Sequence, residues 1–214
     1  MFKSLTIKVK EVVIKIGWIL IFGLVFIWSG IHPKDQLTWF LEVFPALVGL
    51  IILAWTYRRF QLTPLLYFLI LVHSIILMVG GHYTYAEVPL FDWLSELFNW
   101  SRNNYDKLGH LAQGFVPAMI ARELILRKQI IKGTVWQNFF IITFCLALSA
   151  FYEMMEWWVA LTSEEAAEAF LGTQGYVWDT QSDMLYALMG AILALGLLRK
   201  WHDSQLAQLT SGKK

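Results

Sequence analysis

Three acidic patterns lie inside or at the mouths of strongly apolar stretches of this chain: Asp106 with His110, Glu153 with Glu156, and Asp179 with Asp183. Each pair is spaced i to i+3 or i to i+4, so both groups share one helix face. Carboxylates and imidazole together make a hard donor set, suited to Zn²⁺, Mn²⁺, Fe²⁺ or Mg²⁺ rather than to soft copper. Single helices that each supply two donors are how helical bundles build carboxylate metal sites. The candidate metal ligands are therefore His110, Glu153, Glu156, Asp179 and Asp183. A divalent ion there would offset the buried negative charge and activate a water for attack on an ester, phosphoester or amide. Glu153, Asp183 and Asp106 are the candidate catalytic carboxylates, and Asp106, one turn before His110, could orient that ring. Gln113 and Gln181 are candidates to hydrogen-bond a bound or developing anion. No metalloprotease-type HExxH signature accompanies the set.

Two other readings of the same residues stay open. Acidic groups at one depth can form a cation vestibule or proton relay in a transport or ligand-binding protein. Buried carboxylates can also act as interhelical hydrogen-bond glue. Which reading applies depends on the elements that hold these residues.

The chain is 57% hydrophobic and only 15% charged, with a mean hydropathy of +0.54. Soluble domains carry about 25% charged and about 45–50% apolar residues, so the composition is that of an integral membrane protein, partnered by the lipid bilayer. Eleven Trp and eight Tyr fit the aromatic belts of membrane interfaces. A net charge of +1 without a basic run gives no support for nucleic acid as a partner. The lone Cys145 excludes an intrachain disulfide and a cysteine-based zinc site.

Six apolar runs, about 13–31, 39–57, 64–81, 107–126, 136–161 and 179–198, are long enough for transmembrane helices. They predict an all-α six-transmembrane-helix bundle forming a single membrane domain over residues 1–214. Lys3, Lys8, Lys10 and Lys15 precede the first run, but no clean small-x-small cleavage site follows, so it reads as a retained helix rather than a signal peptide. Of the 17 basic residues, only Lys34, Arg102 and Lys107 fall on the side opposite the N-terminus. That bias predicts a plasma-membrane protein with N- and C-termini both cytoplasmic.

This topology puts all three acidic pairs, with Glu42, at one depth near the outer ends of their helices, and His82 at the outer boundary. The polar residues stop in the outer half, which favours a one-sided site over a path across the membrane. Arg122 and Glu123 at the inner end of span four read as snorkelling anchors, with Arg122 paired to an acid. His73 reads as an interhelical hydrogen-bonding residue. In the outer loop 82–105, Leu90, Trp93, Leu94, Leu97 and Phe98 form one helical stripe, predicting a short helix lying in the interface or packing on the bundle. Lys107 reads as an interface anchor, with contact to an anionic head group the alternative. Ser163 is a candidate N-cap, Gly172 and Gly175 break the chain before span six, and Glu164, Glu165 and Glu168 read as a solvated face. Trp157 and Trp158 read as belt residues. Gly190 and Ala194, with Ala187 and Ala191, form a small-residue ridge for close helix contact, within the chain or in a homo-oligomer.

Three strings carry a family resemblance: Tyr105-Asp-Lys-Leu-Gly-His-Leu-Ala-Gln-Gly-Phe115, Phe151-Tyr-Glu-Met-Met-Glu-Trp157, and the segment from Leu171 to Met184 containing Trp-Asp-Thr-Gln-Ser-Asp. Together they resemble the signatures of the YjdF-like bacterial inner-membrane proteins. The order of Asp-Lys-x-x-His, a later Glu and a later Asp at a helix start is also distantly similar to VanZ-like membrane proteins. The first resemblance implies a six-helix protein of the bacterial inner membrane and brings no activity with it. The second implies cell-envelope or glycopeptide-related physiology; for the metal-dependent reading of the residues themselves, the substrate would be a lipid head group or an envelope precursor.

Overall fold

The computed structural model describes residues 2–162 and 176–211. The Ser163 cap, the Gly172 and Gly175 break and the Glu164, Glu165 and Glu168 face lie outside the described residues. Those residues form eight α-helices and no strand: α1 (Phe2–Gly30), α2 (Gln36–Thr56), α3 (Pro64–His82), α4 (Pro89–Phe98), α5 (Tyr105–Lys128), α6 (Thr134–Ala160), α7 (Asp179–Leu197) and α8 (Arg199–Ser211).

Local chemistry sets several of these boundaries. Asp35 caps α2, its carboxylate accepting from Thr38 N–H at 2.7 Å. Pro64 and Pro89 open α3 and α4 at the first helical position, where their missing N–H costs nothing. Asn99 and Gln129 close α4 and α5 in the left-handed conformation.

Five helices contain stretches long and apolar enough to cross a membrane: Val12–Gly30, α2, α3, α6 and α7. Their outer faces carry bare apolar side chains, Trp55 at 76% and Val135 at 80% exposure among them. Surfaces of this kind need lipid or a partner to cover them. Helix α5 is long enough but too polar by composition, because Asp106, Lys107, Arg122 and Glu123 interrupt its apolar run. It sits in the middle instead, against α3, α6 and α7, while α1 and α2 pack on α3.

The closest approach is between α5 and α7, and small residues permit it. A Cβ at Gly114 would overlap the Ala187 carbonyl, and one at Gly190 would overlap the Leu111 carbonyl and lie 2.9 Å from Phe115 N. Ala187, Ala191 and Ala194 are fully buried. The ridge is therefore filled by α5 of the same chain, which leaves it unavailable as a dimer face.

At the end of the bundle away from the acidic pairs, α8 docks through a buried polar network. Glu123 accepts from the Thr63 hydroxyl at 2.8 Å, Arg127 at 2.6 Å and His202 Nε2 at 3.0 Å. Arg122 donates to His202 Nδ1 at 2.7 Å and to Asp203 at 2.6 Å. Arginine has no acceptor atom, so His202 Nδ1 must carry a lone pair and Nε2 the proton. The acid expected to pair with Arg122 is thus Asp203, across 81 positions of sequence.

Candidate functional site

Five segments converge at the opposite end. Helix α5 brings Asp106, His110 and Gln113, α6 brings Tyr152, Glu153 and Glu156, and α7 brings Asp179, Thr180 and Asp183. Helix α2 adds Glu42, and the turn after α3 adds Tyr85.

His110 is at the centre. Its Nδ1 lies 3.0 Å from Gln113 Oε1. A carboxamide oxygen only accepts, so Nδ1 is the protonated nitrogen. The other nitrogen, Nε2, then faces Asp106 Oδ1 at 3.4 Å and Glu153 Oε1 at 3.5 Å. Gln113 thus holds one ring nitrogen, and Asp106 stands with Glu153 at the other. Ligating atoms of Asp106, His110 and Asp183 lie within 4.8 Å of one another, as do those of His110, Glu153 and Glu156.

The surroundings are short of positive charge. Glu42 accepts from Tyr152 O–H at 2.7 Å, with the Tyr85 phenol beside it. Thr180 neighbours Glu153. Asp179 is drawn to the rim, where Arg102 donates to it at 2.8 Å. Asp183 Oδ1 and Glu153 Oε1 are buried without a hydrogen-bond partner. Their side chains are nearly closed to solvent: Asp183 is 2% exposed and the Glu153 side chain 8%. Buried acceptors left in this state are costly, and a proton, a water or a cation would satisfy them.

His110, Asp106, Glu153, Glu156 and Asp183 thus come together as expected. Asp179 borders the cluster, engaged by Arg102. Gln181 is exposed, and its position about 200° around α7 from Asp183 turns it off the cluster face. His82 stands apart, its ring 4.6 Å from Trp28 and its Nδ1 donating to Ser29 O at 2.9 Å. His73 is half-buried in α3, and its Nε2 has no hydrogen-bond partner.

Sequence reasoning passed over Tyr152, Tyr85, Thr180 and the Arg102 pairing. Tyr152 had a readable signal, because it is four residues from Glu156 and shares its helix face. Tyr85 had a fainter one in Gly109, where an added Cβ would come within 2.8 Å of its ring.

A multi-pass helical membrane protein with a buried carboxylate–histidine cluster at one end is the class that fold and site define. The family described as predicted membrane protein (DUF2238) matches residues 14–204, and the chain belongs to it. It is similar to the inner membrane protein YjdF of Escherichia coli (strain K12), with 50% identity over 183 residues, 86% of this chain and 88% of that protein. The resemblance carried by the three strings is thereby borne out. No solved structure matches the chain.

Proposed function

We propose that this chain is an inner-membrane protein whose outward-facing cluster holds a divalent metal ion and acts by hydrolysis or group transfer on a lipid or cell-envelope substrate. The inner-membrane location draws on the name of the Escherichia coli relative. Helix α5 serves as the sixth span: a helix enclosed by α3, α6 and α7 keeps its charged residues away from lipid. The distribution of basic residues then supports cytoplasmic termini and an outward His110.

The observation that carries the metal reading is the pair of distances at His110 Nε2. Two donors bound at about 2.1 Å to one tetrahedral ion stand about 3.4 Å apart. Asp106 and Glu153 lie 3.4 and 3.5 Å from Nε2, and each completes a different donor group there, Asp106 with Asp183 and Glu153 with Glu156. With Nδ1 tied to Gln113, Nε2 faces two carboxylates, and either a proton on Nε2 or a cation between the three groups offsets their negative charge. Carboxylates beyond those bound to the ion would leave a base for its water, with Glu153, Asp183 and Asp106 the candidates.

Transport has less support. Between His110 and Glu123, α5 buries Gly114, Val116, Ala118 and Met119 against its neighbours, so that helix itself carries no polar line between the two ends.

Elemental analysis of the purified protein tests the metal reading. Wild-type protein should carry, or take up from Zn²⁺ or Mn²⁺ solution, a stoichiometric divalent ion. His110→Ala and Glu153→Gln should lose it while remaining monodisperse. Wild-type protein that neither holds nor acquires a metal would end this reading.

A further inference from the structure

Beside the cluster, α4, the turn after it, α5 and α7 enclose an open groove of about 880 Å³. Its walls are apolar at Phe91, Trp100, Leu108 and Leu111, and its rim holds two cations over two phenol rings. The Lys107 ammonium lies 5.9 Å from the Tyr176 ring centroid and 5.8 Å from that of Tyr186. The Arg102 guanidinium lies 4.9 Å from the Tyr176 ring and donates to Asp179 at 2.8 Å.

Ring faces hold a cation in place without using up its N–H donors. Among the described residues Lys107 is in no ion pair. Lys107 therefore offers fixed, charge-assisted donors to an anion, above a wall that suits hydrocarbon. The groove runs on to α4, where Leu90, Trp93, Leu97 and Phe98 are exposed. An apolar stripe with tryptophan is the surface that lies in a membrane interface. The occupant that matches both halves carries negative charge on its head and an apolar body.

We propose that this groove seats an anionic phospholipid of the outer leaflet, its phosphate at Lys107 and its chains along Leu108 and Leu111. The lipid would then reach the carboxylate–histidine cluster. Asp179, which binds Arg102, is four residues before Asp183, about 6 Å along α7. That last step rests on the outward-facing site proposed above and makes a phospholipid head group its substrate class. The seating of the lipid stands without it.

The test is retention of phosphatidylglycerol against phosphatidylcholine on full-length protein, measured by native mass spectrometry from mixed micelles. Wild-type protein should retain phosphatidylglycerol preferentially. One basic side chain near a membrane surface contributes about five-fold to anionic lipid binding, so Lys107→Ala should lose about that factor. Tyr186→Leu should weaken retention, and Lys107→Arg should keep it. Glu153→Gln should keep the lipid while losing metal, so the two proposals fail separately. Equal retention of both lipids by wild-type protein, or full retention by correctly folded Lys107→Ala, overturns the lipid site even if metal binds. Preferential lipid retention by a protein that binds no metal upholds it.

Discussion

Replacing Gly190 with alanine separates two effects of opposite sign. In an open helix, glycine to alanine stabilises by about 0.5–1 kcal/mol, because the unfolded chain loses freedom. At Gly190 the new methyl would overlap the Leu111 carbonyl and sit 2.9 Å from Phe115 N and 3.0 Å from Leu111 C. All three are backbone atoms of α5, so no side chain can swing aside. Ordinary contact begins near 3.4 Å, and α5 and α7 must part by about 1 Å or more to reach it. Overpacking costs about 1–3 kcal/mol, and a forced backbone shift of this size belongs at the upper end, about 2–3 kcal/mol. After the propensity gain is subtracted, the expected net loss is about 1–2 kcal/mol. For a chain of this size that lowers Tm by roughly 2–8 °C. Gly49→Ala is the matched control, since nothing lies within 4 Å of its added methyl, and it should leave Tm unchanged or raise it. Thermal melts of both variants in one detergent make the comparison. The α5–α7 separation should also loosen the cluster, because Asp183 lies two turns from Gly190 on the same helix. A Gly190→Ala protein that melts with the Gly49→Ala control would refute the close α5–α7 contact.

Two further outcomes follow from the same structure. His202→Ala removes a donor to Glu123 and an acceptor for Arg122 inside a buried network, which should cost about 2–4 kcal/mol. Trypsin cleavage at Arg199–Lys200 should then outpace that of wild-type protein, and an unchanged digestion rate would show that α8 is held by something else. The proposed topology predicts an inactive alkaline phosphatase when fused after Lys214 and an active one when inserted in the 82–105 loop, while activity at the C-terminus would reverse the orientation.

The helices were legible because their signal is local. Apolar runs near 20 residues end at Pro64, at Asp35 and at charged turns, and the second to sixth expected spans coincide with a helix to within a few residues, while the helix of the first, α1, begins eleven residues before it at Phe2. The faces of those helices were legible as well. Spacing alone puts Asp106 with His110 and Glu153 with Glu156, and it already turns Gln181 away from Asp183. The small-residue ridge on α7 announced a close contact, though not its partner.

Tertiary structure decided which faces meet. Glu42 and Tyr152 bond across 110 positions, Arg102 and Asp179 across 77, and Glu123 and His202 across 79. No periodicity within one helix encodes such a pairing. It follows from glycines that let α5 and α7 approach and from the way α3, α6 and α7 surround α5. The roles of Gln113 and Asp106 were likewise undetermined by spacing, since both sit on the His110 face at i+3 and i−4. Only the ring's orientation in the packed bundle gives Nδ1 to one and Nε2 to the other. The sequence by itself determined a membrane bundle with acidic helix faces, because hydropathy and helical period are properties of neighbours along the chain. The cluster around His110 was decided by packing, because a site is a relation between helices far apart in that chain.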